Sequence, residues 1–310
     1  MDRQFKALPT IRQLRYLVAL AEHRHFGRAA QASFITQSTL SASIKQLEDL
    51  LGATLVERTK RRVLVTPLGA AVATRARAVL RDVEDLVDAV GATGEPLSGA
   101  LRLGVIPTIG PFLLPRVLPA LRAAHPALAL YLREDQTAAL LDRLAAGDLD
   151  AVLLAFPWRD ERVETRVFAD DPFWVAFPRD HRFAAREHID QAALAGETLL
   201  LLEEGHCLRD HALDACGLDA GALAGGFRAT SLATLVQMVD NGLGLTLLPK
   251  MAVDAGVVRG TRVAVRPLAG AAAARRIGLA WRRSSYRVAD FTRLGDFFRD
   301  ELATPLRPSL

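Results

Sequence analysis

The chain has 310 residues, half of them hydrophobic and about a quarter charged, which is too long for one ordinary domain and fits a globular protein with real cores. No run approaches the roughly 18 apolar residues of a membrane span, and the start MDRQFKALPT lacks the apolar stretch of a secretory signal, so a cytoplasmic location is expected. The net charge of +4 is uneven: residues 1–67 carry 11 Lys and Arg against 5 Asp and Glu, a net +6, and the other 243 carry 28 against 30, a net −2.

A basic head on a slightly acidic body suggests that the head meets a polyanion, although charge alone suits a solvated basic face equally well. Within the head, Ile11, Leu14, Leu17, Val18 and Ala21 recur at spacings of three and four, which predicts a helix over 11–23 with one apolar face. A short helix over 27–32, a polar turn (SFITQ) and a third helix over about 37–51 follow. In the third, Leu40, Ile44, Leu47 and Leu51 are expected inward, leaving Gln37, Ser38, Thr39, Ser41, Ala42 and Lys45 facing out. Helix, short helix, turn, helix is the helix-turn-helix pattern. Gln37 is suited to read adenine, the hydroxyls of Ser38, Thr39 and Ser41 to bond bases or phosphates, and Lys45 to reach a phosphate. The segment LVERTKRRVLVT reads as two short strands around a basic turn, a wing whose Arg58, Lys60, Arg61 and Arg62 would lie along the phosphate backbone of double-stranded DNA. A plain three-helix bundle is the alternative, and the basic hairpin favours DNA over it.

The head also resembles the N-terminal domain of LysR-type transcriptional regulators. The shared features are F-x-R-A-A (Phe26, Arg28, Ala29, Ala30), Q-x-T-L-S (Gln37, Thr39, Leu40, Ser41), I-x-x-L-E (Ile44, Leu47, Glu48) and T-x-x-G (Thr66, Gly69). The chain departs from the family where Ser38 stands for the usual Pro and Ala42 for a frequent Arg. The second change removes a common DNA contact, and half-site preference is expected to differ accordingly.

Residues 68–94 read as a linker helix, with Leu68, Val72, Val79, Val83, Leu86 and Val90 in a coiled-coil-like seam. A lone helix with one apolar stripe needs a partner, so this is the expected dimerisation helix. Gly94, Pro96 and Gly99 mark a hinge at 95–99. From residue 100, apolar strands alternate with amphipathic helices, which predicts an α/β body with a parallel sheet buried on both faces. The resemblance extends to this body and implies two α/β subdomains of periplasmic-binding-protein type: I at about 100–169 and 275–310, II at about 170–274.

Only two cysteines occur, both in EEGHCLRDHALDAC, and generic odds favour inert buried thiols. Yet Cys207 stands at an expected helix start beside His206 and Arg209, an environment that favours a thiolate. Cys216 lies nine residues on, and a helix spaces such residues by about 13–14 Å, whereas a disulfide needs Cα atoms within about 7 Å. If the segment is helical when reduced, the bond cannot form without unwinding it.

G-H-C-L-R-D followed by Cys216 and F-R-A-T-S-L, with I-P-T-I-G-P-F-L-L-P at 106–115 and I-G-L-A-W-R at 277–282, is similar to the hydrogen-peroxide-sensing branch of the family. The resemblance implies Cys207 as the peroxidatic thiol, Cys216 as the resolving thiol, and Thr108, Thr137, His206, Asp210 and Arg282 as the surrounding pocket. It further implies control of oxidative-stress genes through RNA polymerase by a dimer of dimers. Two rivals stand beside it, a regulator that binds a small metabolite with incidental cysteines and a thiol peroxidase, for which the basic head has no use. No metal-ligand spacing, phosphate-cradling loop or nucleophilic triad is visible, so no metal or cofactor is expected. His23, His25, His181, His188 and His211 read as surface or packing residues.

Overall fold

Three threonines open helices of the head in the computed structural model, which describes residues 8–58, 63–91, 96–158, 161, 163–217, 228–270 and 273–304. The Thr10 hydroxyl accepts from the Gln13 backbone N–H and the Gln13 side chain accepts from the Thr10 N–H, a capping box that starts α1 (Ile11–His23). α2 (Phe26–Ala32) begins with His25 Nδ1 accepting from the Arg28 N–H. Thr36 caps α3 (Gln37–Leu51) through the Thr39 N–H. Leu17, Leu20, Leu40, Ile44 and Leu47 are fully buried among these helices. Leu51, expected inward, is exposed, because α3 ends there and Gly52 turns the chain left-handed at φ 64°.

Strands β1 (Val56–Arg58) and β2 (Val63–Val65) pair antiparallel. The Glu48 carboxylate accepts from the Leu55 and Val56 N–H groups at 2.8 and 2.9 Å, tying this hairpin to α3. Thr66 donates to the Thr54 carbonyl and accepts from the Gly69 N–H at the start of α4 (Pro67–Gly91). A Cβ on Gly69 would lie 2.0 Å from the Leu55 carbonyl oxygen, so both ends of the T-x-x-G motif serve the junction between hairpin and α4. Ala73 and Ala76 of α4 are buried, with Ala73 in the head core, while Leu68, Val79, Val83, Leu86 and Val87 are exposed. The side chain of Val90 lies outside the described residues.

The chain forms two units, Met1–Thr93 with Ala145–Asp148 and Gly94–Leu144 with Leu149–Leu310. The second holds, in order, β3 (Gly99–Val105), α5 (Gly110–Ala124), β4 (Leu128–Glu134), α6 (Thr137–Ala146), β5 (Ala151–Phe156) and β6 (Val163–Pro178). Then follow β7 (Ile189–Asp190), β8 (Leu201–Leu202), α7 (Cys207–Cys216), β9 (Arg228–Ala229), α8 (Leu232–Asp240) and β10 (Thr246–Pro249). It closes with α9 (Lys250–Asp254), β11 (Val263–Ala269), β12 (Ala274–Arg282) and α10 (Val288–Ala303). The main sheet runs β4-β3-β5-β12-β6-β11-β7, with β10 also on β6.

This sheet is mixed, which corrects the all-parallel expectation. β3 pairs parallel with β4 and β5, but β12 runs antiparallel to both β5 and β6, and β10 and β11 run antiparallel to β6. The cause is β6, a 16-residue strand whose first half pairs with β12 and whose second half pairs with β10 and β11. It carries the chain from one apolar core, built on β3, β5, β12, α5 and α10, to another, built on β10, α7 and α8. β12 brings it back. The two cores define two lobes joined by a pair of antiparallel strands.

Gly69→Ala is expected to destabilise the head by about 1–3 kcal/mol through overpacking against the Leu55 carbonyl, read as a lower midpoint in urea melts followed by far-UV circular dichroism.

Candidate functional site

Gly205, at φ 94°, turns the chain into α7. A Cβ there would lie 2.4 Å from Gln136 Oε1, so the helix starts in close contact with the turn before α6. Cys207 is the first residue of α7 and Cys216 the last. Both are free thiols, separated by the helix length that the spacing predicts, and no disulfide can join them while α7 is intact. Cys207 packs against the first core and Cys216 is buried in the second, with Leu208, Ala212, Leu213 and Ala215 of the same helix.

Facing Cys207 is a charge pair held at the crossing between lobes. Arg275 on β12 stands opposite Asp171 on β6 in the ladder. Its Nε and Nη2 donate to Asp171 Oδ2 at 3.1 and 3.0 Å, and the other Asp171 oxygen accepts from the Met251 N–H at 2.9 Å. Arg275 Nη1 donates to Thr108 Oγ1 and Nη2 to the Thr108 carbonyl, both at 2.8 Å. Thr108 sits in the turn between β3 and α5. Arg275, Asp171 and Thr108 are all buried. Since its Oγ1 accepts from Arg275, the Thr108 hydroxyl keeps its own proton to donate.

Burial is the largest influence on Cys207 and raises its pKa above the ordinary thiol value. The Arg275 charge, the Thr137 hydroxyl and the Cys207 backbone N–H pull it down, and the Asp210 carboxylate pushes it up. Burial therefore favours the thiol form of the sulfur, and the Arg275 guanidinium opposes it. Thr137 is the first residue of α6, and its hydroxyl is buried where it acts on the sulfur, with no nitrogen or oxygen partner of its own among the described residues. Burial lowers the pKa of His206 against the opposing pull of Glu203, whose Oε1 is 3.9 Å away. Cys216 has no compensating partner, and its pKa is pushed up to about 11 by burial alone.

Two expectations change. Arg282 is not in this pocket: its Nη1 donates to the carbonyls of Leu144, in the last turn of α6, and Leu149, just after it, at 2.9 and 2.5 Å. The cation at the sulfur is Arg275, seven residues earlier on the same strand. Nor are His206 and Arg209 among the groups that act on the sulfur: Arg275 is the cation that does, burial lowers the pKa of His206, and Arg209 donates to the Leu202 carbonyl. The missed pair left one sequence signal, two adjacent acids (Asp170, Asp171) in ADDPFWVAF and two adjacent bases (Arg275, Arg276) in ARRIGLAW beside otherwise apolar strand residues. Asp210 is exposed on the first turn of α7. His211, read as a packing residue, is buried on that helix.

In the head, Gln37, Ser38, Thr39, Ala42 and Lys45 of α3 are exposed and Ser41 is half-buried. The hydroxyls of Ser38 and Thr39 both bond Thr36 Oγ1, at 2.9 and 2.8 Å. Arg58 ends β1, with its side chain outside the described residues, as are Lys60, Arg61 and Arg62.

Residues 11–70 match the bacterial regulatory helix-turn-helix proteins of the LysR family and residues 94–303 match the LysR substrate binding domain. The chain is 46% identical over 291 residues to the DNA-binding transcriptional dual regulator OxyR of Escherichia coli K12, covering 93% of this chain and 94% of that protein. A solved full-length OxyR from Pseudomonas aeruginosa, with a cysteine replaced by aspartate, superposes with a TM-score of 0.78 at 38% identity, over 94% of this chain and 95% of that one. A Corynebacterium glutamicum OxyR with a cysteine replaced by serine, solved with hydrogen peroxide bound, superposes at 0.66 with 34% identity, over 96% and 94%. The chain belongs to the LysR family of bacterial helix-turn-helix regulators.

Proposed function

We propose that the chain is a DNA-binding transcriptional regulator that senses hydrogen peroxide through Cys207 and Cys216. The observation that carries this reading is the placement of the two thiols at opposite ends of one helix, with Cys207 facing the Arg275–Thr108–Thr137 cluster. The OxyR relatives, one of them solved with hydrogen peroxide, support it. In this reading Thr108 and Thr137 hydrogen-bond the peroxide. Arg275 stabilises negative charge on the sulfur and on the departing oxygen. The Cys207 sulfur attacks one oxygen, an S–O bond forms as the O–O bond breaks, and the thiol proton leaves with hydroxide as water. The Cys216 thiol then displaces the sulfenic hydroxyl, releasing a second water and forming the disulfide.

Because the bond requires α7 to unwind and Cys216 to leave the second core, oxidation remodels a lobe of the body. We assign residues 1–67 to DNA binding, with Gln37, Ser38, Thr39, Ser41, Lys45, Arg58, Lys60, Arg61 and Arg62 as the contacting set. The connector, residues 68–94, pairs with a second copy, and residues 100–310 form the sensing body. The exposed Leu68, Val79, Val83 and Leu86 support that pairing. A dimer of dimers bridging two half-sites in the cytoplasm, with altered access for RNA polymerase on oxidation, completes the reading.

Stoichiometric peroxide should give a Cys207–Cys216 disulfide in the wild type and a trapped sulfenic acid at Cys207 in Cys216→Ser, both read by mass spectrometry. A Cys207→Ser variant that still responds to peroxide in a promoter assay would overturn the reading in favour of a small-molecule effector. Arg275→Gln is expected to slow Cys207 oxidation on the order of a hundredfold. In DNA titrations, Gln37→Ala should cost about 1–3 kcal/mol on the cognate site. Lys45→Ala should weaken all sequences alike and reduce the salt slope by about one.

A further inference from the structure

His211 lies one helical turn beyond Cys207 on α7, so the two side chains share a face of the helix. It is buried, with a relative exposure of 8%. One ring nitrogen bonds the backbone of Pro157. Proline has no N–H, so the partner is its carbonyl and the imidazole is the donor. The other nitrogen, Nδ1, is buried and makes no hydrogen bond. The Pro157 bond is therefore made by Nε2–H, which fixes the tautomer and leaves Nδ1 as a bare lone pair. The Arg275 charge and the Asp210 carboxylate act on His211 as they act on Cys207, so both groups lie within reach of the same two charges.

We propose that His211 Nδ1 accepts the Cys207 thiol proton as the sulfur attacks peroxide. Residues one turn apart have Cβ atoms about 5–6 Å from each other, a separation that a single water bridges. The sulfur bonds one peroxide oxygen while its proton passes to Nδ1. The O–O bond breaks, the leaving hydroxide takes the proton back from the imidazolium, and water departs. The histidine ends neutral, and the products are sulfenic acid and one water.

The need for such a group follows from the pocket: burial favours the protonated sulfur, and its attack is fast only if the proton has somewhere to go. The charged groups acting on His211 are Arg275 from β12 and Asp210 and Asp214 from α7. Burial and Arg275 lower its pKa, against the two carboxylates and the Pro157 carbonyl. Its acceptor form is therefore the one present at neutral pH. It is lost only as pH falls through that lowered value.

The inference rests on the peroxide reading of Cys207. The test is the second-order rate of Cys207 oxidation by hydrogen peroxide between pH 5 and 8.5. It uses full-length Cys216→Ser protein with His211 intact or replaced by Gln, whose amide N–H can still reach the Pro157 carbonyl. With His211 the rate should fall on the acid side with an inflection below the ordinary histidine value. His211→Gln should lose that inflection and run about tenfold slower at pH 7.5. An unchanged melting temperature and unchanged DNA affinity of the reduced protein would establish that the variant is folded. If folded His211→Gln keeps the rate and inflection of the parent, the histidine only packs and this inference fails. If Cys207 is not oxidised even with His211 present, it is the peroxide reading that fails.

Discussion

The buried pair of Arg275 and Asp171 is the interaction on which the sensing body depends. Two charges taken out of water cost several kcal/mol each, and a pair recovers that only when its remaining donors and acceptors are filled. Here four of the five guanidinium N–H groups and both carboxylate oxygens are engaged. Asp171 uses both oxygens, on the guanidinium and the Met251 N–H, and Arg275 spends its other bonds on the Thr108 hydroxyl and carbonyl. The pair sits on β6 and β12, the two strands that link the lobes. It therefore ties together the turn that ends β3, the start of α9 and the crossing itself. It also places a permanent cation beside a sulfur that burial would otherwise keep inert.

The second constraint is geometric. A ten-residue helix with a thiol at each end is stable only while the thiols stay apart. Cys207 belongs to the packing of one lobe and Cys216 to the core of the other. Forming a bond between them exchanges helix hydrogen bonds and the burial of Cys216 for a covalent link. In the proposed function the switch needs no separate device, since the reduced fold and the oxidised bond exclude each other. The buried Cys216 thiol, with no charge to lower its pKa, has little reactivity until that exchange begins.

The head is organised by short-range chemistry of another kind. Threonines at 10, 36 and 66 satisfy the N–H groups at helix starts, and Glu48 holds the hairpin to α3. On the outer face of α3, Ser38 and Thr39 share the Thr36 hydroxyl. Those two hydroxyls already have a partner within the head, whereas Gln37 and Lys45 extend outward. A family-wide proline would hold the same turn by its ring, and in this chain the hydroxyl network at Ser38 caps it instead.

Much of this was legible in the residues. The apolar spacing of α1 and α3, the wing, the long α4 and the helical separation of the two cysteines all follow from local periodicity, which a linear chain displays in full. What periodicity cannot show is which distant segments meet. The chain reads as alternating strands and helices and so suggests a parallel sheet, yet β6 runs through both lobes and reverses the direction of its partners. Arg282 and Arg275 stand on one strand, and nothing local says which faces the cysteine. Register across β6 decides it, putting Arg275 against Asp171 more than a hundred residues away. The same holds for His211, an unremarkable helix residue until the Pro157 carbonyl takes one nitrogen and leaves the other bare, one helical turn from Cys207. The sequence by itself determined the elements, the DNA-facing head and the two thiols, because those depend on neighbours within a few turns. Only the tertiary structure decided the charge and proton acceptors around the sulfur, because burial and long-range pairing set them.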